Sequence, residues 1–238
     1  MHIKSFFKNV TRAIVFILVI FVFGSLSYVV NKSKDHEIYL KKILLNTDNN
    51  ITKAFFSPDD DIVNILISLI NAEKKRISIA IYTITQKNIS QALVDAANRG
   101  VEVECVVDRG YGTDRYSRVP SLANNNIPVW VFQVDQLNRA LMHNKLAIFY
   151  DNILDKSIVF TGSYNFTRNA NNANQENVVI LDNKEITDRY KAQFDILKRR
   201  SLLISGTNAK HPQPEPSINR NTIEIFIEKL LRALRRYI

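Results

Sequence analysis

Short apolar, strand-like runs alternate with amphipathic segments from residue 51 to residue 203, and this alternation restricts the possible folds more than any other feature of the chain. The predicted strands are 51–56, 77–84, 101–107, 127–133, 144–150, 157–162 and 177–181, and the predicted helices are 62–70, 89–99 and 184–203. Strands that alternate with helices are typical of layered α/β domains. We therefore predict one α/β domain over residues 51–205.

Two of the predicted strands carry polar motifs. His143 and Lys145 are two residues apart, so both side chains project from the same face of one strand. Gly162, Ser163 and Asn165 end the next strand, where a hydroxyl and an amide can lie beside the first pair. An imidazole, a cation and two neutral hydrogen-bonding groups can together neutralise and attack a phosphate. The motifs therefore predict a phosphate-handling site.

This combination resembles the phospholipase D superfamily, whose signature is His-x-Lys, then an Asp, then Gly-Ser-x-Asn or Gly-Ser-x-x-Asn. The resemblance extends over about 54–200, because three flanking segments follow the family's order: Phe55-Phe56-Ser57-Pro58, Tyr82-Thr83-Ile84 and Gln175-Glu176-Asn177-Val178-Val179. The chain is most similar to small members with a single motif, namely the bacterial secreted or periplasmic endonuclease and mitochondrial cardiolipin hydrolase-like proteins. The resemblance implies a mixed, largely parallel sheet with helices on both faces.

The resemblance also implies a role for each motif residue. His143 attacks phosphorus and forms a covalent phosphohistidine, which water later releases. Glu176 falls where the family's His-orienting acid lies. Lys145 and Asn165 bind the non-bridging oxygens, and Ser163 assists them. Neither a metal ion nor another cofactor is expected.

The Asp of the family signature is displaced in this chain. Asp151 follows Lys145 after five residues, where the family has four, and regular alternation would place it on the His143 face. Either a bulge restores the geometry or the Asp has another role, which in the family is largely structural. Asp155 is a second candidate. We include Asp151 in the predicted catalytic set.

One complete motif supplies half of a two-histidine site. The other His-x-Lys, His2-Ile3-Lys4, precedes an uncharged, membrane-directed segment at 13–30. No second Gly-Ser-x-Asn follows it in another copy of the domain, so we interpret this match as chance. His36 lies at the membrane end, and His211 lies in a proline-rich linker. We therefore predict a two-fold homodimer in which one His143 attacks a phosphate and the other acts as acid.

Composition restricts the classes of partner. The formal net charge of +9 predicts attraction to polyanions, which include nucleic acid and anionic lipid alike. The single cysteine, Cys105, excludes an internal disulfide framework. The acidic triplet 59–61 is interpreted as a helix cap and not as a metal site.

An arginine- and tyrosine-rich segment follows the strand 101–107. It carries, around two glycines, the residues Arg109, Tyr111, Arg115, Tyr116 and Arg118. Such a segment can bind a nucleic-acid strand by phosphate contacts and base stacking, although a solvated surface loop would have the same composition.

Three functions remain open from the sequence. The resemblance to the endonuclease, the basic charge and the arginine- and tyrosine-rich segment favour hydrolysis of DNA or RNA. The alternative is hydrolysis of a membrane phospholipid, cardiolipin or phosphatidylcholine, which the membrane-directed segment favours. A catalytically silent nucleic-acid binder is the third class, and it would require a motif without function. The motif is nearly intact in this chain, which counts against that class.

Residues 1–30 are predicted to be a membrane anchor or a signal segment. The stretch 13–30 is uncharged and, as a helix, would span roughly 27 Å, close to the thickness of a bilayer core. Retention as an anchor and cleavage near Ser25-Leu26-Ser27 both fit the sequence. Either fate would place the catalytic domain outside the cytoplasm, which is the periplasm in a bacterium.

Three further segments flank the domain. Residues 31–50 are predicted to be a tether or a short helix, and 206–220 a proline-rich linker. Residues 221–238 are predicted to form a basic amphipathic helix, which can lie on an anionic membrane or dock on the domain or a second subunit.

Overall fold

The computed structural model describes residues 14–22, 24, 34–112, 115–133 and 140–204, and of residues 111 and 112 it describes the backbone only. The helices are α1 (34–44), α2 (Ile62–Ala72), α3 (Lys87–Asn98), α4 (Arg109–Gly112), α5 (Val119–Asn124), α6 (Arg168–Asn172) and α7 (Lys184–Arg199), with a 3-10 turn at Ile153–Asp155. The strands are β1 (Thr52–Ser57), β2 (Arg76–Ile81), β3 (Glu102–Val107), β4 (Val129–Phe132), β5 (Lys145–Phe149), β6 (Ile158–Gly162), β7 (Glu176–Leu181) and β8 (Ser201–Ile204).

The strands form one mixed sheet in the order β1-β7-β6-β5-β2-β3-β4-β8. Among the described strands, the β2–β3 and β3–β4 pairs are parallel, and the other five neighbouring pairs are antiparallel. The predicted α/β class and mixed sheet are confirmed, but the expectation of a largely parallel sheet is wrong. The short connection 150–157 between β5 and β6 can join only antiparallel strands, because a parallel crossover needs a dozen residues or more.

Helices cover both faces of the sheet, as predicted. Helices α1, α2, α3 and α5 pack on one face over the larger apolar core. Helix α7 covers the other face and buries Phe194 and Leu197 against β2, β3, β5 and β6. Burial of apolar surface contributes about 25 cal/mol per Å² on each face, and this stabilises the sheet between the two helical layers.

Helix α1 belongs to the folded domain. Its side chains Leu40 and Leu44 are fully buried in the larger core, and His36 hydrogen-bonds Ser68 and Asn71 of α2 at 3.1 Å each. Within the segment 31–50, the structure therefore shows a short helix at 34–44 that packs on the core of the domain.

The last predicted helix, 184–203, ends early. The Ser201 hydroxyl donates to the Leu197 carbonyl at 2.8 Å, and the chain then adds β8 to the exposed edge of β4. Leu202 and Leu203, predicted as helical, pair with Val131 and Trp130 in that edge strand. The expectation of a helix through residue 203 is wrong at this end.

Both terminal predictions fall largely outside the described residues. Residues 14–22 are helical with exposed side chains, and within the described ranges no helix has the length and apolar character needed to cross a bilayer. Apart from Gly24, the rest of the predicted segment 1–30 lies outside the described part of the chain, as do the predicted linker 206–220 and the predicted basic helix 221–238.

Candidate active site

The predicted motif residues meet at one end of the sheet. At this end β2 and β6 finish and β5 and β7 begin. Lys145 pairs with Ile81, and Leu146 with Thr161, so Lys145 starts β5 beside the end of β6. Gly162 pairs with Val178, which brings Ser163 beside the start of β7. The antiparallel register therefore gathers side chains that are distant in sequence.

His143 lies at the open edge of this site, just before β5. Its side chain is exposed, and its ring packs edge-on against Tyr82 with 4.5 Å between the ring centroids. The backbone is held on both sides of the residue: Met142 N donates to Asp108 Oδ2 at 2.9 Å, and Tyr82 N donates to Asn144 O at 2.9 Å. An accessible imidazole on a fixed backbone can attack a phosphorus atom.

Lys145 supplies a cation beside this imidazole. The residue is 6% exposed, and its ammonium donates to the His143 carbonyl at 2.9 Å and lies 4.9 Å from the Tyr82 ring centroid. Burial lowers the pKa of Lys145 from its ordinary value, while the charge of Glu176 acts in the opposite direction. The ammonium is therefore held in a position where it can neutralise an anionic oxygen.

Ser163 and Glu176 are joined directly across β6 and β7. The Ser163 hydroxyl donates to Glu176 Oε2 at 2.5 Å and accepts from Asn177 N at 3.0 Å, and Asn174 Nδ2 donates to Glu176 Oε1 at 3.0 Å. In this structure Ser163 and Asn174 hold the carboxylate, in place of the expected bond to His143. The Glu176 side chain reaches the site through Ser163 and through its charge on Lys145.

The glycine of the motif is required by a close backbone approach. A Cβ atom on Gly162 would lie 2.0 Å from the Asn177 carbonyl oxygen, far inside van der Waals contact. The same approach allows Ser163 N to donate to Asn177 O at 3.0 Å. Gly162 therefore sets the distance at which β6 and β7 meet beneath the site.

Asn165 follows on the loop after β6 and is half-buried. Its side-chain Oδ1 is buried and has no hydrogen-bond partner among the described residues. A buried carbonyl oxygen without a partner is costly, so Oδ1 can still accept a hydrogen bond from a donor, whereas the Nδ2 group is the part of this side chain that can donate to a phosphate oxygen. The neighbouring residue Phe166 donates to Thr83 O at 3.1 Å, which ties this loop to the end of β2.

Asp151 and Asp155 do not join the site. They follow the opposite end of β5, roughly 20 Å from Lys145 at the rise of an extended strand. Asp151 N donates to the buried Glu73 carboxylate at 2.8 Å, and Asp155 pairs with Lys74 at 2.8 Å. The assignment of Asp151 to the catalytic set is therefore corrected: its backbone closes the turn after β5.

The arginine- and tyrosine-rich segment flanks the site end of β3. It contains the short helix α4 and the start of α5, where a continuous loop was expected. Arg115 packs over the exposed Tyr116 ring at 4.4 Å from its centroid, and Arg118 N donates to Ile84 O at 2.9 Å. The side chain of Tyr111 lies outside the described part. The segment therefore borders the loop that carries Asn165.

Two residues of the site were not predicted as such, Tyr82 and Asp108. Both follow directly on parallel strands, Tyr82 after β2 and Asp108 after β3. Side chains at the carboxyl ends of parallel strands form the usual ligand-binding crevice of α/β sheets. That position is the sequence signal that could have identified them.

Asp61 of the acidic triplet 59–61 caps helix α2, as predicted. Asp61 accepts from Asn64 N at the start of α2, and Asp60 accepts from Phe56 N at 2.7 Å. Within the described part of the chain, no group of three or more His, Cys, Asp or Glu side chains could hold a metal ion.

Comparison with known proteins defines the class of this site. Residues 66–198 match the family described as cardiolipin synthase, PLD-like domain, which is more than half of the chain. The chain therefore belongs to the phospholipase D-like family and is a phosphodiester hydrolase. The resemblance found in the motifs is confirmed.

Individual relatives agree with this assignment. A phospholipase D from Rickettsia bellii is 31% identical over 146 residues, which cover 61% of this chain and 68% of that protein. A mitochondrial cardiolipin hydrolase from Chlamydomonas reinhardtii is 29% identical over 131 residues, 55% of each protein. Nuc, a phospholipase D family member from Salmonella typhimurium, superposes with a TM-score of 0.57 at 26% identity, over 66% of this chain and 99% of that structure.

Proposed function

We propose that the protein is an endonuclease that cleaves DNA or RNA through a phosphohistidine at a site completed by a second copy of the chain. The observation that supports it best is the convergence of the exposed His143 ring, the buried Lys145 ammonium and the Ser163–Glu176 pair at one end of the sheet. Each member matches a requirement of phosphodiester cleavage: a nucleophile, charge neutralisation and positioned hydrogen bonds.

The reaction proceeds in two displacements. In the first, a neutral His143 nitrogen forms a bond to phosphorus while the bond to the leaving oxygen breaks, and an imidazolium from the second copy protonates that oxygen. In the second displacement, the imidazole of the second copy, now neutral, takes a proton from water. The water oxygen bonds to phosphorus, and the bond between phosphorus and the His143 nitrogen breaks. Lys145 and the Asn165 amide group hold the non-bridging oxygens in both steps, and Ser163 assists them by holding the Glu176 carboxylate beside the site.

The general acid is the reason for a second copy. The chain has four histidines, of which the structure describes His36 and His143. His36 bonds Ser68 and Asn71 between α1 and α2, away from the site end of the sheet. A two-fold homodimer would supply the missing acid as a second His143, because two-fold symmetry brings identical residues together.

Nucleic acid is favoured as substrate by the segment that borders the site. The exposed Tyr116 ring with Arg115 stacked on it offers a surface for a base and a cation for a phosphate. The net charge of +9 strengthens attraction to a polyanion. The resemblance of the motifs to the bacterial endonuclease supports the same substrate.

Phospholipid is the second candidate, and the relatives' names favour it. The relatives include a phospholipase D and a mitochondrial cardiolipin hydrolase. The chemistry at phosphorus is indifferent to the alcohol that leaves, so one site can serve either ester. In both cases we propose that residues 1–30 direct the catalytic domain out of the cytoplasm, either as an anchor or as a cleaved signal.

Parallel assays of one preparation separate the two substrates. The full chain in mild detergent is tested on single-stranded DNA, RNA, phosphatidylcholine and cardiolipin, with His143→Ala as the control. Cleavage of nucleic acid that falls at least about 10³-fold in His143→Ala supports the proposal. Cleavage of lipid alone would establish the second candidate, and full activity in His143→Ala would overturn both.

Mixed dimers test the shared site. When wild-type and His143→Ala chains are mixed equally and allowed to exchange, a site that needs both histidines retains about a quarter of the wild-type activity, because only that fraction of dimers is fully wild type. Independent sites would retain about half. An acid-labile covalent bond between substrate phosphorus and the wild-type protein, trapped by quenching the reaction during turnover, identifies the phosphohistidine.

A further inference from the structure

We infer that Asp108 is a positioning residue of the hydrolytic reaction, which fixes the backbone that carries His143. The inference rests on the proposed function of His143 as nucleophile. Asp108 follows the last residue of β3 and is only 2% exposed, so its carboxylate lies inside the domain and beneath the open edge of the site. A buried carboxylate needs partners for its lone pairs, and in the described part of the chain these are two backbone N–H groups.

The two oxygens of Asp108 bind two different segments. Oδ2 accepts from Met142 N at 2.9 Å, and Oδ1 accepts from Gly110 N at 2.8 Å. Met142 is adjacent to His143 and its own side chain is buried in the smaller core. The carboxylate therefore ties α4 and the chain before His143 to the end of β3.

Within the described residues, few hydrogen bonds hold the backbone around His143. Residues 140–144 lie outside any strand, and the ladder of β5 begins only at Lys145, opposite Ile81. After His143 the chain is held by the bond from Tyr82 N to Asn144 O, and before it by the bond to Asp108. With the bond to Asp108 lost, the described contacts before His143 are reduced to the packing of the buried Met142 side chain, whereas Lys145 Nζ still binds the His143 carbonyl and Tyr82 N still binds the Asn144 carbonyl. A misplacement of about 1 Å at a reacting group can cost about 10²-fold in rate.

A single-atom change tests this role. Asp108→Asn keeps the shape but replaces one acceptor by a donor, so either Met142 N or Gly110 N faces an NH₂ group and loses its partner. We expect kcat to fall to about one tenth of the wild-type value or below. KM should change by no more than about twofold, because the phosphate ligands are untouched. Formation of the phosphohistidine in a single turnover should slow by the same factor as kcat.

Glu73→Gln is the matched control. Glu73 is likewise a buried carboxylate, 3% exposed, that accepts from the backbone of Lys75, Arg76 and Asp151, but at the opposite end of the sheet. Its variant should lose thermal stability while kcat per folded molecule stays within about twofold of wild type. Equal kcat losses in the two variants, or a change in KM alone for Asp108→Asn, would overturn the positioning role.

A milder variant covers the case in which Asp108→Asn does not fold. A Cβ on Gly110 would lie 3.3 Å from Asp108 Oδ1, so Gly110→Ala pushes the carboxylate by a few tenths of an ångström. We expect kcat to fall about threefold and the Met142 amide proton to exchange faster with solvent. An unchanged Met142 amide with unchanged kcat would contradict the inference. If His143→Ala keeps its activity, the proposed function fails. If His143→Ala loses activity and Asp108→Asn does not, only this inference fails.

Discussion

The Tyr82 ring lies edge-on to the His143 imidazole, with 4.5 Å between the centroids and 63° between the planes. The same ring lies under the Lys145 ammonium at 4.9 Å. One aromatic side chain therefore contacts the nucleophile and the phosphate-binding cation together. Edge-on ring pairs and cation–π contacts each contribute about 0.5–1.5 kcal/mol, which is enough to select one orientation of a partly exposed imidazole.

Replacing Tyr82 should therefore change the chemical step more than binding. We expect Tyr82→Leu to lower kcat by about tenfold to 10²-fold with a KM close to wild type, because the His143 ring loses the wall that orients it. Tyr82→Phe keeps the ring and should retain kcat within about threefold. Steady-state kinetics on a short oligonucleotide measure both constants. A loss in Tyr82→Phe as large as in Tyr82→Leu would show that the hydroxyl, and not the ring, is needed.

Gly162→Ala should disable the site by moving β6 away from β7. The new Cβ would lie 2.0 Å from the Asn177 carbonyl, so Ser163 is displaced from Asn177 and Glu176. We expect a stability loss of about 1–3 kcal/mol together with a large loss of kcat. Gly100→Ala is the control, because its φ of 93° makes it strained with nothing within 4 Å of the new atom. It should lose stability alone, as measured by urea unfolding beside activity.

The pH dependence of the rate should reveal the environment of Lys145. Because burial lowers the pKa of Lys145, the alkaline decline in kcat/KM should begin below the pH of an ordinary lysine, about 10.4. The Glu176 charge raises that pKa, so Glu176→Gln should move the decline to still lower pH. Asn174→Ala removes a hydrogen bond to Glu176 and keeps its charge, so its alkaline decline should match wild type. A decline that moves to higher pH in Glu176→Gln would contradict this assignment.

The motifs could be predicted from sequence because each is local to one strand. His143 and Lys145 share one segment, and Gly162 to Asn165 another, so spacing alone places each group. The antiparallel β5–β6–β7 register that joins them was not predicted, because it depends on short connections and on the Gly162–Asn177 approach. The partners of Glu176 depend on that register as well, which is why Ser163 was not expected to bind it.

Asp151 shows how a motif can mislead when the supporting contact is distant in sequence. The spacing from Lys145 suggested a catalytic or bulge residue. In the structure, the backbone N–H of Asp151 donates to the carboxylate of Glu73, a residue 78 positions away. No sequence pattern marks Glu73 as the acceptor for that turn.

Asp151→Ala should consequently leave kcat and KM within about twofold of wild type. The bond that matters comes from the backbone N–H, which alanine also has. Thermal unfolding should change little for the same reason. A loss of kcat without a loss of stability would restore Asp151 to the catalytic set.

The carboxylate of Glu104 should control the stability of the α7 layer. It is 5% exposed and accepts from Arg76 and Lys198 at 2.7 Å and from Ser78 at 2.9 Å, which ties α7 to β2 and β3. Glu104→Gln should cost about 3 kcal/mol at neutral pH, because Lys198 and Arg76 lose the buried carboxylate that both of them bind, and among the described carboxylates Arg76 keeps only the more distant Glu102. Glu102→Gln on the same strand is the control: that side chain is 76% exposed and 3.8 Å from Arg76, so its loss should be under about 1 kcal/mol.

The Glu104 contribution should also depend on pH with a defined sign. Burial alone would raise the pKa of Glu104, but hydrogen bonds from Lys198 and Ser78 and the charge of Arg76 bring it below its ordinary value. A carboxylate with a lowered folded-state pKa stabilises the protein above its unfolded pKa, about 4.3, and loses that contribution as the pH falls through the folded-state pKa. The difference in unfolding free energy between wild type and Glu104→Gln should therefore be full at pH 7 and shrink as the pH falls through the lowered folded-state pKa of Glu104, as measured by urea titrations. A difference that stays constant or grows on acidification would show that Glu104 is not held ionised by Arg76 and Lys198.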